Sequence, residues 1–289
     1  MVQIFLSALV LAVLCIGLAN SLHQSVPPIA QITDLPAAFS IDPNTLQAEA
    51  AVVYDPTDGH ILFAKNDEEQ LPLASLTKLM TADAALGVLS ATSSVRVSEE
   101  AIQTEGDSGL KAGQIWKAGD LIKYALLVSS NDGMAAVAES AGGPAFMQKM
   151  NDDAETLGLA QSYFLDPTGL DLTTDVSGGY GSARDVALLA SAFYETYPSF
   201  FESTLRSGST FGSGANAVSG TATAAPLLDI PGLIGAKTGY TDLAGGNLVA
   251  LFDIGLGHPV AAVVLHSTEE GRFSDMRALI TEARAAAVH

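Results

Sequence analysis

Little in this chain can staple, ligate metal or grip a polyanion. Its 289 residues include one cysteine, Cys15, which excludes an intramolecular disulfide and a cysteine-built zinc site. Lysine and arginine number 13 against 32 aspartates and glutamates, a formal net charge of -19, and that balance argues against nucleic acid as a partner. Charged residues are 16% of the chain and hydrophobic ones 48%, the composition of a packed protein of one large domain or two small ones. The acidic group Asp152, Asp153 and Glu155 fits a solvated helix face better than a cation site. One apolar run stands out, Ile4 to Ala19, interrupted only by Ser7 and Gly17. It is long for the core of a signal peptide and near the lower limit for a spanning helix. Export is expected, with residues 1–19 either cut after Ala19 or kept as an N-terminal membrane anchor.

Residues 20–47 carry Pro27, Pro28, Pro36 and Pro43 with little periodicity and read as a linker, leaving 48–289 as the folded domain. Val52 to Tyr54, the turn Pro56-Thr57-Asp58-Gly59 and the run Ile61 to Ala64 spell strand, turn, strand. A helix follows Pro72, reaches about Leu86 and stops near Gly87. Further helices are expected where Asp120 caps Leu121 to Val128, over Met134 to Ser140, after Pro144, and where Ser182 caps Val186 to Phe193. The stretch 207–220 is rich in Gly and Ser and reads as a surface loop. Strands return over Leu233 to Tyr240, Asn247 to Ile254 and Val260 to His266, and Glu269 to Val288 closes as a helix. The expected class is α+β: an antiparallel sheet flanked by helices, with a mainly helical lobe inserted in the sequence.

Ser75 and Lys78 lie three residues apart on the helix after Pro72, so they share a face. An uncharged lysine there can take the serine proton and create a nucleophile without histidine. Free N–H groups of the first helical turn favour the negative charge that develops on attack. Spacing alone is weak, because Ser108-Gly109-Leu110-Lys111 repeats it, but Gly106, Gly109 and Gly113 disfavour a helix there. Two further elements stand in order: Ser129-Ser130-Asn131, the one Ser-x-Asn, and Lys237-Thr238-Gly239, the one Lys-Thr-Gly. His60, His258, His266 and His289 have no Gly-x-Ser-x-Gly to serve and read as surface or strand-end residues.

With Ser-x-x-Lys, Ser-x-Asn and Lys-Thr-Gly in that order, the sequence resembles the penicillin-binding proteins and serine β-lactamases. More narrowly it is similar to the low-molecular-mass D-alanyl-D-alanine carboxypeptidases, through ASLTKLMTA, LLVSSNDG, DPTGLD, YGSARD and GAKTGYTDLAGGNLVA. The resemblance covers roughly Ala48 to the C-terminus and implies a β-lactamase/transpeptidase-like fold, no cofactor and no metal. It implies that Ser75 attacks the peptide bond between terminal D-alanines of peptidoglycan stem peptides, that Lys78 is the base, and that Ser129 passes a proton to the leaving amine. It places Asn131 on the substrate amide or Lys78, Lys237 and Thr238 on the substrate carboxylate, and Gly239 where substrate lies against the strand. The backbone N–H groups of Ser75 and Tyr240 are the implied oxyanion hole, and β-lactams the implied inhibitors. A base at Lys78 needs a lowered pKa, for which desolvation and the nearby cation Lys237 are the expected causes.

The chain departs from class A β-lactamases in having no Glu-x-x-Leu-Asn after Asn131, which disfavours efficient β-lactam hydrolysis. It ends about fifty residues after Gly239, without room for the C-terminal β-domain and amphipathic anchor of many such carboxypeptidases, so any membrane contact is expected at the N-terminus. The alternatives are a DD-endopeptidase cutting cross-links with the same residues, or a non-catalytic domain that binds peptidoglycan or β-lactams.

Overall fold

The computed structural model describes residues 39–212, 217–255 and 257–287. The expected leader at 1–19, with Cys15, and residues 20–38 of the expected linker lie outside them, as does His289. Within the rest of that linker, Phe39 meets Phe63 with ring centroids 5.7 Å apart, and Leu46 is buried. The backbone N–H groups of Gln47 and Ala48 donate to Asp275 at 3.1 and 2.8 Å. Residues 39–47 are thus tied to the domain through Phe39, Leu46 and the Gln47 amide, while most of their side chains stay exposed.

The hairpin β1 (Ala50–Asp55) and β2 (His60–Lys65) opens the fold. Five helices of ten residues or more follow: α1 (Thr77–Leu86), α2 (Ala118–Val128), α3 (Asn131–Ala141), α4 (Phe146–Thr156) and α5 (Ala183–Thr196). The chain then returns as β3 (Leu233–Thr241), β4 (Gly245–Asp253) and β5 (Pro259–Ser267) and ends in α6 (Gly271–Ala287). The sheet order is β3-β4-β5-β1-β2, antiparallel throughout, so β3 is an edge.

Successive strand residues point to opposite faces, and here both faces are covered. Val52, Val249, Leu251, Ala261 and Val263 pack with the helical lobe. Val53, Leu248, Phe252, Val260 and Val264 pack with Phe273, Met276, Leu279 and Ile280 of α6. That is why the strands read as continuous apolar runs and not as alternation.

Two helix starts differ from the sequence reading. Asp120 does not cap α2: the helix begins at Ala118 after extended Lys117, and Asp120 sits in its first turn, where the helix dipole favours a carboxylate. The segment expected as one helix after Pro72 has a 3-10 turn, Ala74–Leu76, before α1 proper. Ala74 has φ +49°, a left-handed conformation uncommon for alanine, and it turns the chain into the helix. Residues 207–220 are more than a loop, because Thr210–Phe211 pairs with Val218–Ser219.

Candidate active site

Helix α1 runs through the interior: Thr77 through Ala82, with Ala84 and Ala85, are buried. The helix is buried nearly all round, and Lys78 is carried into the core with it, its surface exposure 0%. The Lys78 Nζ donates to Ser75 Oγ at 2.6 Å and to the carbonyl of Thr168 at 2.7 Å. Burial pushes this amine down to about 7, against the opposing pull of the Asp166 and Asp132 carboxylates. Desolvation disfavours the cation, so near neutrality a substantial fraction of Lys78 is free to accept a proton. The anticipated repulsion between the two lysines appears on the other partner. Lys237, also fully buried, is held well below its ordinary value first by burial, then by Lys78 and Arg272.

The turn Asp166-Pro167-Thr168-Gly169 forms the floor beneath Ser75. Asp166 accepts from the backbone of Thr168 and Gly169 at 2.7 and 3.0 Å, which fixes the turn so that two of its carbonyls face α1. One receives Lys78; the other, of Pro167, accepts from Thr81 Oγ1 at 2.6 Å. Gly169 has φ +78°, and a Cβ there would stand 2.0 Å from the carbonyl oxygen of Ala74. Only glycine satisfies both constraints.

Ser129 comes from the break between α2 and α3. It closes α2 in the left-handed region, φ 61° and ψ 38°, while Ser130 opens α3 by accepting from Gly133 N at 2.8 Å. A helix stop and a helix start in adjacent residues turn Ser129 out of both helices, and its Oγ accepts from Lys237 Nζ at 2.8 Å. Asn131 donates through Nδ2 to the Glu105 carbonyl at 2.7 Å, while its Oδ1 is buried without a partner. Its amide is thus anchored on the donor side, with an acceptor to spare. The structure joins Ser75 with Lys78 and Ser129 with Lys237, and gives Asn131 no hydrogen bond to Lys78.

Lys237, Thr238 and Gly239 lie on the edge strand β3, with Tyr240 half exposed after them. The space at Gly239 is also needed by the fold itself. A Cβ there would come within 2.9 Å of the Leu73 carbonyl oxygen, 3.2 Å of Ala74 Cβ and 3.2 Å of Ser75 N. The glycine lets the edge strand close on the nucleophile's own turn and brings the backbone leading to Tyr240 against the Ser75 amide.

Several supports escaped the sequence reading. Asn247, fully buried, donates to the Pro72 carbonyl at 2.8 Å and accepts from His266 N at 2.8 Å, pinning the segment before Ser75 to β4. Arg272 Nη1 donates to the Gly239 carbonyl at 2.8 Å. Asp171 receives Thr241 Oγ1 at 3.0 Å and Leu243 N at 3.2 Å, fixing the end of β3. Asp132 is buried and accepts from Ser108 Oγ at 2.6 Å and also from Ser130 Oγ. Asp132, Asp171 and Asn247 lie inside the phrases LLVSSNDG, DPTGLD and GAKTGYTDLAGGNLVA without a role of their own there, and nothing local marks Arg272. The histidines 60, 258 and 266 pair with Asp58, Asp55 and Glu49.

Residues 37–269 match the family described as Peptidase_S11, D-alanyl-D-alanine carboxypeptidase. The D-alanyl-D-alanine carboxypeptidase DacF of Bacillus subtilis (strain 168) is 31% identical over 242 residues, 78% of this chain and 59% of that protein. This chain thus spans less than two thirds of that relative's length. Among solved structures, a D-alanyl-D-alanine carboxypeptidase of Mycobacterium tuberculosis H37Rv superposes with TM-score 0.78 at 28% identity, covering 87% of this chain and 96% of its own. Penicillin-binding protein D2 of Listeria monocytogenes, in a cefotaxime-bound form, gives 0.71 at 29% identity, covering 82% and 97%. Both share the helices and antiparallel sheet described above, and with the family match over most of its length the chain belongs to the D-alanyl-D-alanine carboxypeptidase family, Peptidase_S11.

Proposed function

We propose that this protein is a serine DD-peptidase that removes the terminal D-alanine from peptidoglycan stem peptides and is acylated by β-lactams. One observation carries the reading: a buried lysine amine, pushed down to about 7, donating to a serine hydroxyl at 2.6 Å beside a second lysine–serine pair. An amine that loses its proton near neutrality is matched to general-base work. In this reading Lys78 takes the Ser75 proton as Oγ attacks the carbonyl between the two D-alanines. The backbone N–H groups of Ser75 and Tyr240 hold the oxyanion. Ser129 relays a proton to the leaving amine, and the C–N bond breaks as the Ser75 ester forms. Water then hydrolyses the ester and restores Ser75.

Lys237 and Thr238 bind the free carboxylate and Asn131 the substrate amide. A chain of net charge -19 repels anions at long range, so the carboxylate relies on local groups: Arg272 supplies positive charge beside β3, and a bound carboxylate favours the charged form of Lys237 that burial otherwise disfavours. β-Lactams enter by presenting a reactive carbonyl and a carboxylate to the same groups. Work on peptidoglycan calls for a location in the cell envelope, and the expected N-terminal leader would supply export and any membrane contact. Among the described residues no helix is long and apolar enough to cross a membrane.

The test is release of free D-alanine from an acylated D-Ala-D-Ala peptide. Wild-type protein should release it and Ser75→Ala should lose the rate by on the order of 10³-fold or more. Release that survives Ser75→Ala would remove Ser75 from the nucleophile's role.

A further inference from the structure

Arg272, in the first turn of α6, is 8% exposed, and its charge is thinly answered. Nε is buried without a partner. Among the described residues the one carboxylate within 4 Å is that of exposed Glu269, at 3.9 Å. The guanidinium lies over the Phe273 ring, 4.9 Å from its centroid, and the side chain makes one short polar contact, from Nη1 to the Gly239 carbonyl at 2.8 Å. A buried cation so poorly paired costs stability. What it does for Gly239 has to account for its presence.

The Gly239 carbonyl belongs to the same peptide unit as the Tyr240 N–H, and that unit is trans. In a trans unit the two groups point in opposite directions across one conjugated system. A positive charge on the carbonyl draws electron density from the nitrogen and makes the N–H a stronger donor, because linked hydrogen bonds polarise one another. Arg272 thus stands behind the N–H that the DD-peptidase reading puts on the oxyanion. The other side of that hole has its own brace. Asn247, paired with Gly239 across β3 and β4, holds the Pro72 carbonyl at 2.8 Å and with it the turn of Ser75. Asn247 is neutral and can only position, whereas Arg272 positions and adds charge.

Resting on the DD-peptidase reading, we infer that Arg272 is a positioning residue for the oxyanion hole. Through the Gly239 carbonyl it fixes and polarises the Tyr240 N–H without touching substrate. A donor set in advance in this way needs no reorientation when charge develops. Its effect therefore falls on the rate of acylation, whatever the leaving group carries.

The experiment uses the full chain and two acyl donors, an acyl-D-Ala-D-Ala peptide and an acyl-D-alanine p-nitrophenyl ester, which has no carboxylate. Single-turnover acylation rates and half-saturation concentrations are measured for wild type, Arg272→Met and Arg272→Lys. Arg272→Met should lower the saturating rate about tenfold with both donors, less than the about 10²–10³-fold of losing an oxyanion donor outright. Half-saturation by the ester should change by less than about twofold. Arg272→Lys keeps a cation on a flexible stem and should stay within about threefold of wild type. A loss confined to the dipeptide would make Arg272 a carboxylate ligand, and equal losses in both variants would make its role one of packing. Either result, or an unchanged rate in Arg272→Met, overturns the inference. If the wild-type protein is acylated by neither donor and benzylpenicillin leaves Ser75 unmodified, the DD-peptidase reading falls and takes the inference with it.

Discussion

Two segments of this chain carry Ser-x-x-Lys, and only one becomes a lysine–serine pair. At Ser75 a left-handed Ala74 and a 3-10 turn lead into a helix buried nearly all round, so Lys78 is desolvated and its amine meets Ser75 at 2.6 Å. At Ser108 the chain is a loop with left-handed glycines at 106, 109 and 113, and Lys111 is exposed. Yet Ser108 is not idle: its hydroxyl reaches Asp132 at 2.6 Å and lies 3.0 Å from Ser130 Oγ. The spacing supplies proximity, whereas burial supplies the chemistry, because desolvation is what pushes the Lys78 amine down towards neutrality.

The sharpest way to break the comparison is to remove the desolvated amine. Lys78→Met should lower acylation by about 10²–10⁴-fold, the range of general-base catalysis, read as the rate of β-lactam adduct formation. In the wild-type protein acylation should rise with pH through about 7, since the protonated amine cannot accept the serine proton. A rate flat from pH 5 to 9 would take the base role from Lys78. Stability carries the same signature with a definite sign. A lysine whose folded pKa is depressed leaves the unfolded chain binding more protons between about 7 and the ordinary value of 10.5. Wild-type stability should therefore gain on Lys78→Met as pH rises through that window, and the cost of the buried amine is complete below it. Thermal unfolding of both proteins at several pH values measures this.

Next in size is Gly239→Ala. Its Cβ would meet the Leu73 carbonyl oxygen at 2.9 Å, pushing the edge strand off the nucleophile's turn. Overpacking of this kind costs about 1–3 kcal/mol, and a displacement of about 1 Å at reacting groups costs about 10²-fold in rate. Equal kcat/KM in wild type and variant would show that the close approach is dispensable. Ser108→Ala sharpens the contrast from the other side. Removing one donor from buried Asp132 should cost about 1 kcal/mol of stability while acylation of Ser75 persists, measured by denaturant unfolding and adduct formation. Lys111→Ala should change stability by less than about 0.5 kcal/mol, as for a solvated side chain.

Much of this was legible in the residues. The hairpin β1–β2, the helix ending at Gly87, Ser182 as a cap and the three closing strands followed from periodicity and turn chemistry. The pairing of Ser75 with Lys78 followed from helix spacing. What escaped depends on contacts distant in sequence. Thr168 receives Lys78 across 90 residues and Asn247 reaches Pro72 across 175, and no local pattern encodes such partners. The role of Gly239 was legible only as open space; that a neighbouring turn fills it is a tertiary fact. Likewise Ser129-Ser130-Asn131 was legible as an ordered element, whereas its two adjacent serines, one ending α2 and one starting α3, show only in the fold.

The most direct test of the central claim is the intact mass of the protein after brief exposure to benzylpenicillin, with peptide mapping of the adduct and a parallel assay of the drug for hydrolysis. The account predicts one adduct of the drug's mass on Ser75, absent from Ser75→Ala and present in Ser108→Ala. An adduct on Ser108, or unmodified protein with the drug intact, would contradict it.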